Sequence, residues 1–184
     1  RGWGQGPQHA QSLESWFAHI PGLKVVSASN AYDAKGLLIS SIEDNNPVIF
    51  YENRWLHNTT SKVPKEYYKI PIGKCNFIKK GKFLTIVTHS FMVIECLKCV
   101  NYFSKFNIDI ELIDIRTIRP LDTASILKSV KKTKKLLVVD TDWIHFSFSS
   151  EIISLVTEKL FDVMESSPKR IGLEDVPSPS SSGL

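Results

Sequence analysis

Hydrophobic and polar positions in this chain follow two alternating rhythms. Short β-branched runs are each followed by a longer stretch with apolar residues three or four positions apart. The first series opens with a short helix over Gln11–Ala18, broken by the Pro21-Gly22 turn, and Leu23–Val26 then reads as a strand. Ser29 or Asn30 can cap the next helix, since either side-chain oxygen can accept from a free amide of the first turn. That helix runs to about Ile42, with Ala31, Ala34, Leu38 and Ile42 on one apolar stripe, and Asp44-Asn45-Asn46-Pro47 stops it. Val48–Tyr51 is the next strand. From about Glu52 to Gly73 the chain is polar, contains Pro64 and Pro71 and keeps no period, which marks a linker. A second series then reads strand Phe83–Thr88, helix Ser90–Phe103, strand Ile110–Ile115, a helix opened by Pro120-Leu121-Asp122, strand Leu136–Val139, helix Glu151–Leu160 and a last strand Arg170–Leu173.

Strands and helices alternating at these lengths predict an α/β fold with a mostly parallel sheet covered on both faces and right-handed crossovers. The second series is complete as a doubly wound domain. The first is not, because two strands make too small a sheet to hide its faces, and the chain is expected to be a piece whose N-terminal half of that domain is missing. The opening Arg1-Gly2-Trp3-Gly4-Gln5-Gly6 and the closing Pro/Ser tail from Pro177 to Leu184 fit that expectation.

Composition narrows the function classes. Hydrophobic content of 42% and charged content of 23% are those of an ordinary globular protein. No run of about 18 uncharged apolar residues occurs, which argues against a membrane span. The net charge of +4 is spread, with lysine clusters only at Lys79–Lys82 and Lys131–Lys135, so the basic stripe of a nucleic-acid binder is absent. Those clusters read as solvated loop positions. Cys96 and Cys99 form a C-x-x-C inside an apolar helix with no second pair and no histidine at ligand spacing, which favours structural core and a reduced, intracellular compartment.

Several segments carry a resemblance. Gly6-Pro7-Gln8-His9-Ala10-Gln11-Ser12-Leu13-Glu14 through Pro21-Gly22-Leu23-Lys24-Val25-Val26, then Tyr32-Asp33-Ala34-Lys35-Gly36, Asp44-Asn45-Asn46-Pro47, Ile70-Pro71-Ile72-Gly73-Lys74 and Ile113-Asp114-Ile115-Arg116-Thr117-Ile118-Arg119-Pro120-Leu121-Asp122 occur in order along the chain. Together they resemble the β subunits of thiamine-diphosphate-dependent 2-oxo acid dehydrogenases of the pyruvate, branched-chain and acetoin type, in the transketolase superfamily. The resemblance implies that residues 1–60 are the C-terminal half of a pyrimidine-binding domain, 61–73 a linker, and 74–184 a transketolase C-terminal-type domain. It implies oxidative decarboxylation of a 2-oxo acid, with acyl transfer to lipoamide. Thiamine diphosphate would be shared with an α subunit in an α2β2 heterotetramer, the α subunit holding the diphosphate and its Mg2+. The sequence has no Gly-Asp-Gly with a downstream Asn, the metal–diphosphate pattern, which agrees with that division. An acyltransferase core would be a further partner, and the location a bacterial cytoplasm or a mitochondrial matrix.

The same resemblance assigns His9 to the histidine that enters the active site and takes part in acyl transfer, a role an imidazole suits near neutral pH. The plainer alternative is a hydrogen bond within a glycine-rich loop. The glutamate that tunes the cofactor ring falls in the missing half, so no residue here is given that role. Ala10 stands where the family often has Ser. A structural potassium ion is implied at the helix end by positions matching Ser41, Ile42, Asp44 and Asn46, mainly through backbone oxygens; an Asp/Asn-rich C-cap and turn reads the same residues without an ion. One departure stands out. Where the family has an acidic residue, Trp and a Gly-Gly-x-Gly turn, this chain reads Thr141-Asp142-Trp143-Ile144-His145-Phe146-Ser147-Phe148-Ser149, so glycines are replaced at Phe146, Ser147 and Ser149 and the loop is expected to differ. Arg54-Trp55-Leu56-His57-Asn58 reads equally as an interface anchor or a packed linker. His19 reads as structural, and His57, His89 and His145 show no partners in sequence. A transketolase-like or sugar-synthase ketol transferase and a non-catalytic subunit-assembly domain remain as alternatives.

Overall fold

The computed structural model describes residues 6–178. After a 3-10 turn at Pro7–Ala10 come α1 (Glu14–Ala18), β1 (Lys24–Ser27), α2 (Ala31–Ile42), β2 (Val48–Tyr51) and a 3-10 turn at Arg54–Asn58. The second series is β3 (Asn76–Lys79), β4 (Leu84–Thr88), α3 (Phe91–Ser104), β5 (Ile110–Asp114), β6 (Thr117–Arg119), α4 (Thr123–Thr133), β7 (Leu136–Trp143), α5 (Phe148–Leu160) and β8 (Lys169–Leu173).

The strands form two sheets, one in the order β2-β1-β6 and one in the order β3-β5-β4-β7-β8. In the larger sheet β5, β4, β7 and β8 run parallel and only the edge strand β3 is antiparallel. The mostly parallel α/β architecture is therefore as expected. Two strands escaped the sequence reading. β3 has only four residues, and β6 has three, immediately beyond β5. β6 leaves the larger sheet and pairs antiparallel with β1, so the second series provides the third strand of the smaller sheet.

Burial explains the order. Val25 on β1 joins Val87, Ile113, Ile126, Val138 and Ile152 in the main core, so the smaller sheet packs directly against the larger domain. Asn30 caps α2, its side chain accepting from the Asp33 amide. The face of α2 that is buried is Asp33, Gly36 and Leu37, whereas Leu38 and Ile42 of the expected apolar stripe are exposed. The 61–73 segment is ordered against this helix. Ile70 is buried, Tyr68 stacks on Tyr32 with ring centroids 4.6 Å apart, and the Lys35 ammonium donates to the carbonyls of Pro64, Lys65 and Glu66. Of the C-x-x-C pair, Cys96 is buried but Cys99 is exposed, which corrects the reading of both as core.

A polar clamp ties the two series together. The Arg116 guanidinium donates to both carboxylate oxygens of buried Asp33, its Nε at 2.9 Å. Arg116 itself has φ 55°, a left-handed conformation uncommon for a residue with a Cβ, and its amide donates to Asp114. Ser29 donates to the other oxygen of Asp114. Burial pushes the Asp114 carboxyl up to about 6, against the hydrogen bonds from Ser29 and Arg116.

Candidate functional site

Where neighbouring parallel strands send their connections to opposite faces of a sheet, a crevice opens at their carboxyl ends. In this chain the ends of β1, β2, β4 and β7 open on one cleft of about 420 Å3, lined among others by His9, Glu14, Tyr51, Trp55, His89 and Asp140. His9 sits in the turn Pro7–Ala10, exposed on the cleft wall. The turn is anchored by its neighbour. Ala10 is buried, and its carbonyl accepts from the Ser178 hydroxyl at 2.7 Å.

The floor of the cleft holds a group that the sequence reading left without partners. His89 follows directly on β4 and is buried, with its Nδ1 3.4 Å from the Ser27 hydroxyl and its ring edge-on to Phe148 at 4.8 Å. Its Nε2 faces Glu14 Oε1 at 3.6 Å and Asp140 Oδ1 at 3.8 Å. These separations exceed hydrogen-bond length, and among the described residues neither Nε2 nor Asp140 Oδ2 has a hydrogen-bond partner. Burial alone would lower the His89 pKa; the facing Asp140 and Glu14 carboxylates outweigh it and raise it. Nearby, burial pushes the Asp142 carboxyl up to about 6, with the Asp140 and Glu14 charges adding, while Ser15 donates to it at 3.0 Å. The Tyr51 phenol is pushed up to about 12 by burial and then by Glu14 and Asp142. The signal available in sequence was position, because His89 follows the apolar run of a central parallel strand.

Arg54–Asn58 forms its own 3-10 turn, capped by Asn53, whose side chain accepts from the Trp55 amide at 3.1 Å. Trp55 stacks on Phe91 with centroids 6.0 Å apart, so the segment forms one wall of the cleft. The departing loop after β7 has an informative shape. Phe146 takes φ 58°, a conformation that glycine adopts at less cost, and the residue is 95% exposed. Ser147 and Ser149 are buried and hydrogen-bonded to each other through their hydroxyls.

The candidate potassium residues lie elsewhere, at the end of α2, and none lines the cleft. Asp44 pairs with Lys24 and accepts from the Asn46 amide and side chain, at 2.9 and 2.8 Å. The Lys24 hydrogen bond, then those from Asn46, hold its carboxyl down at about 2. Ser41 donates to the Leu37 carbonyl at 2.7 Å, and Ile42 is exposed. The carbonyls of this last turn lack intrahelical partners by helix geometry, which suits backbone ligation of an ion. The Asp44 carboxylate is already satisfied by an ammonium and an amide.

Comparison with known proteins agrees with this architecture. The family of the transketolase C-terminal domain matches residues 73–183, and that of the transketolase pyrimidine binding domain matches residues 3–59. The pyruvate dehydrogenase E1 component subunit beta of Rickettsia conorii is 41% identical over 172 residues, 94% of this chain and 53% of the relative. The mitochondrial subunit of the same name from Mus musculus is 40% identical, over 96% of this chain and 50% of the relative. The acetoin:2,6-dichlorophenolindophenol oxidoreductase subunit beta of Bacillus subtilis is 39% identical, over 98% of this chain and 53% of the relative. This chain thus spans about half the length of the curated relatives it matches. Among solved structures, a split gene transketolase, an inactive beta4 tetramer, matches with a TM-score of 0.77 at 19% identity, over 93% of this chain and 55% of its own, which shows the shared fold. With a family match covering most of its length and a pyrimidine-binding segment ahead of it, this chain belongs to the transketolase C-terminal domain family.

Proposed function

We propose that this chain is part of the β subunit of a thiamine-diphosphate-dependent 2-oxo acid dehydrogenase, and that it contributes the ring-side wall of a cofactor cleft shared with an α subunit. The observation that carries the reading is the exposed imidazole of His9 on a cleft at the carboxyl ends of strands from both sheets. Identity near 40% to pyruvate dehydrogenase and acetoin-oxidoreductase β subunits supports it. The lining fits the aminopyrimidine half of the cofactor, with Tyr51, Trp55 and Phe91 offering aromatic faces and Glu52 and His9 polar edges. The diphosphate and Mg2+ fall to the α subunit. When bound, the cofactor supplies the electron sink for an acyl carbanion. His9 then moves a proton at the cleft mouth during transfer of the acyl group to lipoamide on an acyltransferase core.

In this reading residues 1–60 are pyrimidine-domain, 61–73 linker and 74–184 C-terminal domain. The compartment is a bacterial cytoplasm or a mitochondrial matrix. A ketol transferase is the competing enzyme class, and a subunit-assembly role the competing non-catalytic one. The deciding experiment reconstitutes the full-length protein with its α partner and thiamine diphosphate. Decarboxylation of a 2-oxo acid is expected, and His9→Ala should cut reductive acyl transfer about 100-fold or more while leaving the melting temperature unchanged. Ketol transfer without decarboxylation would assign the chain to the other enzyme class, and normal turnover of the variant would remove His9 from the mechanism.

Potassium at Ser41, Ile42, Asp44 and Asn46 belongs to the same proposal. A native-state ligand stabilises the fold by mass action, so melting should occur at a higher temperature in potassium chloride than in tetramethylammonium chloride at equal ionic strength. Equal midpoints would count against the ion.

A further inference from the structure

We propose that Glu14, His89 and Asp140 form a binding site for a divalent transition-metal ion of the zinc type on the floor of the cleft. The three ligand atoms lie within 4.8 Å of one another and all three residues are buried. Ligands held at about 2.0–2.2 Å from a tetrahedral zinc are about 3.3–3.6 Å apart. The observed 3.6 and 3.8 Å from His89 Nε2 to the two carboxylates are too long for hydrogen bonds, and shortening by a few tenths of an ångström would bring them to that spacing. A buried imidazole nitrogen and a buried carboxylate oxygen without hydrogen-bond partners are uncommon in folded proteins, because each costs its desolvation, and a shared cation would satisfy both.

The surroundings match what a metal-ligating histidine requires. Nδ1 faces the Ser27 hydroxyl at 3.4 Å, and a proton there directs the Nε2 lone pair toward Glu14 and Asp140. The edge-on contact with Phe148 fixes the ring plane. The ligands come from three separated stretches of sequence, α1, the turn after β4, and β7, so the site exists only when the two series are packed together. Three protein ligands opening on a cleft leave a fourth position for water or substrate, the pattern of a catalytic rather than a structural zinc site. One nitrogen and two carboxylates favour zinc, manganese or cobalt over magnesium and calcium, which prefer all-oxygen shells.

The test uses cobalt as probe on the 184-residue chain stripped with chelator, in the absence of thiamine diphosphate, so it is independent of the reading in the previous section. Saturable visible absorption at one equivalent of Co2+ is expected, displaced by Zn2+ and accompanied by a rise in melting temperature. His89→Gln should abolish the absorption, and Asp140→Asn, nearly isosteric, should weaken binding at least tenfold. Ser27→Ala leaves all three ligands in place and should weaken it about 10- to 100-fold through the lost orientation of the ring. No saturable absorption, or absorption unchanged in the Ser27→Ala and Asp140→Asn chains, would overturn the site and leave a plain imidazolium between two carboxylates. Should His89→Gln fail to fold, the other two variants decide.

Discussion

The two sheets are stabilised differently. The five-stranded sheet is covered by its own helices, and its core of Val87, Ile113, Val138, Ile152 and Val156 is fully buried. The three-stranded sheet has a small cluster of its own, Val26, Ala28, Leu37 and Ile70, and its third strand comes from the other series. An area of apolar contact that small cannot offset the entropy of ordering two strands and two helices. What supplements it is the packing of Val25 and Tyr51 on the main core, together with a polar clamp: Arg116 on Asp33, and Ser29 on Asp114. The larger region is therefore expected to fold on burial, and the smaller one to depend on a charged clamp reaching across from it.

Breaking the clamp should give the largest effect. Arg116→Met leaves the Asp33 carboxylate, 1% exposed, without its cation, and removing one partner of a buried ion pair costs about 3–5 kcal/mol. The loss should be local. Amide hydrogen exchange is expected to accelerate through β1, α2 and β2, while Ile86, Leu112 and Val138 in the larger sheet keep their protection. Equal acceleration in both sheets would mean that the two regions unfold as one and that the contrast drawn between them is wrong.

The same contrast governs what could be read from sequence. In the larger region the β-branched runs and the three- to four-residue period located four strands and three helices, because apolar burial is what holds that region. On α2 the period misled. Its buried face carries Asp33 and Gly36, neither apolar, one buried because Arg116 neutralises it and the other because Ile70 and Tyr68 lie against it. Of the apolar stripe, Leu38 and Ile42 are exposed, while Ala34 packs against the small cluster. The cleft was half legible. His9 came from a resemblance and not from periodicity, whereas His89 was passed over because its partners Glu14 and Asp140 are 75 and 51 positions away. The lysine-rich stretch reads in sequence as solvated loop, but Lys132 lies on α4 with its ammonium on buried Glu111.

Gly36 offers a sharper test with a smaller effect. A Cβ there would sit 2.7 Å from Ile70 Cγ1 and 2.8 Å from Tyr68 Cε2, both side-chain atoms that can shift only at the expense of their own packing. Overpacking of this kind costs about 1–3 kcal/mol, less about 1 kcal/mol gained from alanine's better helix propensity. Gly36→Ala should therefore lower the urea midpoint modestly, and Ile70→Val in the same chain should recover part of the loss. A double variant no more stable than Gly36→Ala alone would show that the 61–73 segment does not pack on α2 in this way.

Acid should act on the larger region through Glu111, whose side chain lies beneath α4. Burial alone would raise its pKa, but Lys132 and Ser129 donate to its two oxygens, and the Gly81 amide adds a third bond at 3.2 Å. These bonds win, so the folded-state pKa lies below the ordinary 4.5. A carboxyl depressed on folding contributes stability that is complete above its unfolded value and is lost as pH falls through the folded one, because protonation is then easier in the unfolded chain. The loss should begin near pH 4.5 and continue downward. Glu111→Gln removes the titration and replaces hydrogen bonds to a charge with neutral ones, so the variant should be less stable than the parent at neutral pH by about 1 kcal/mol. Lowering the pH destabilises the parent by this route and not the variant, so the gap between their urea midpoints should narrow steadily below pH 4.5. A gap that stayed constant down to pH 3 would mean that Glu111 keeps an ordinary pKa, and that the charge on its carboxylate adds nothing to holding α4 on its sheet.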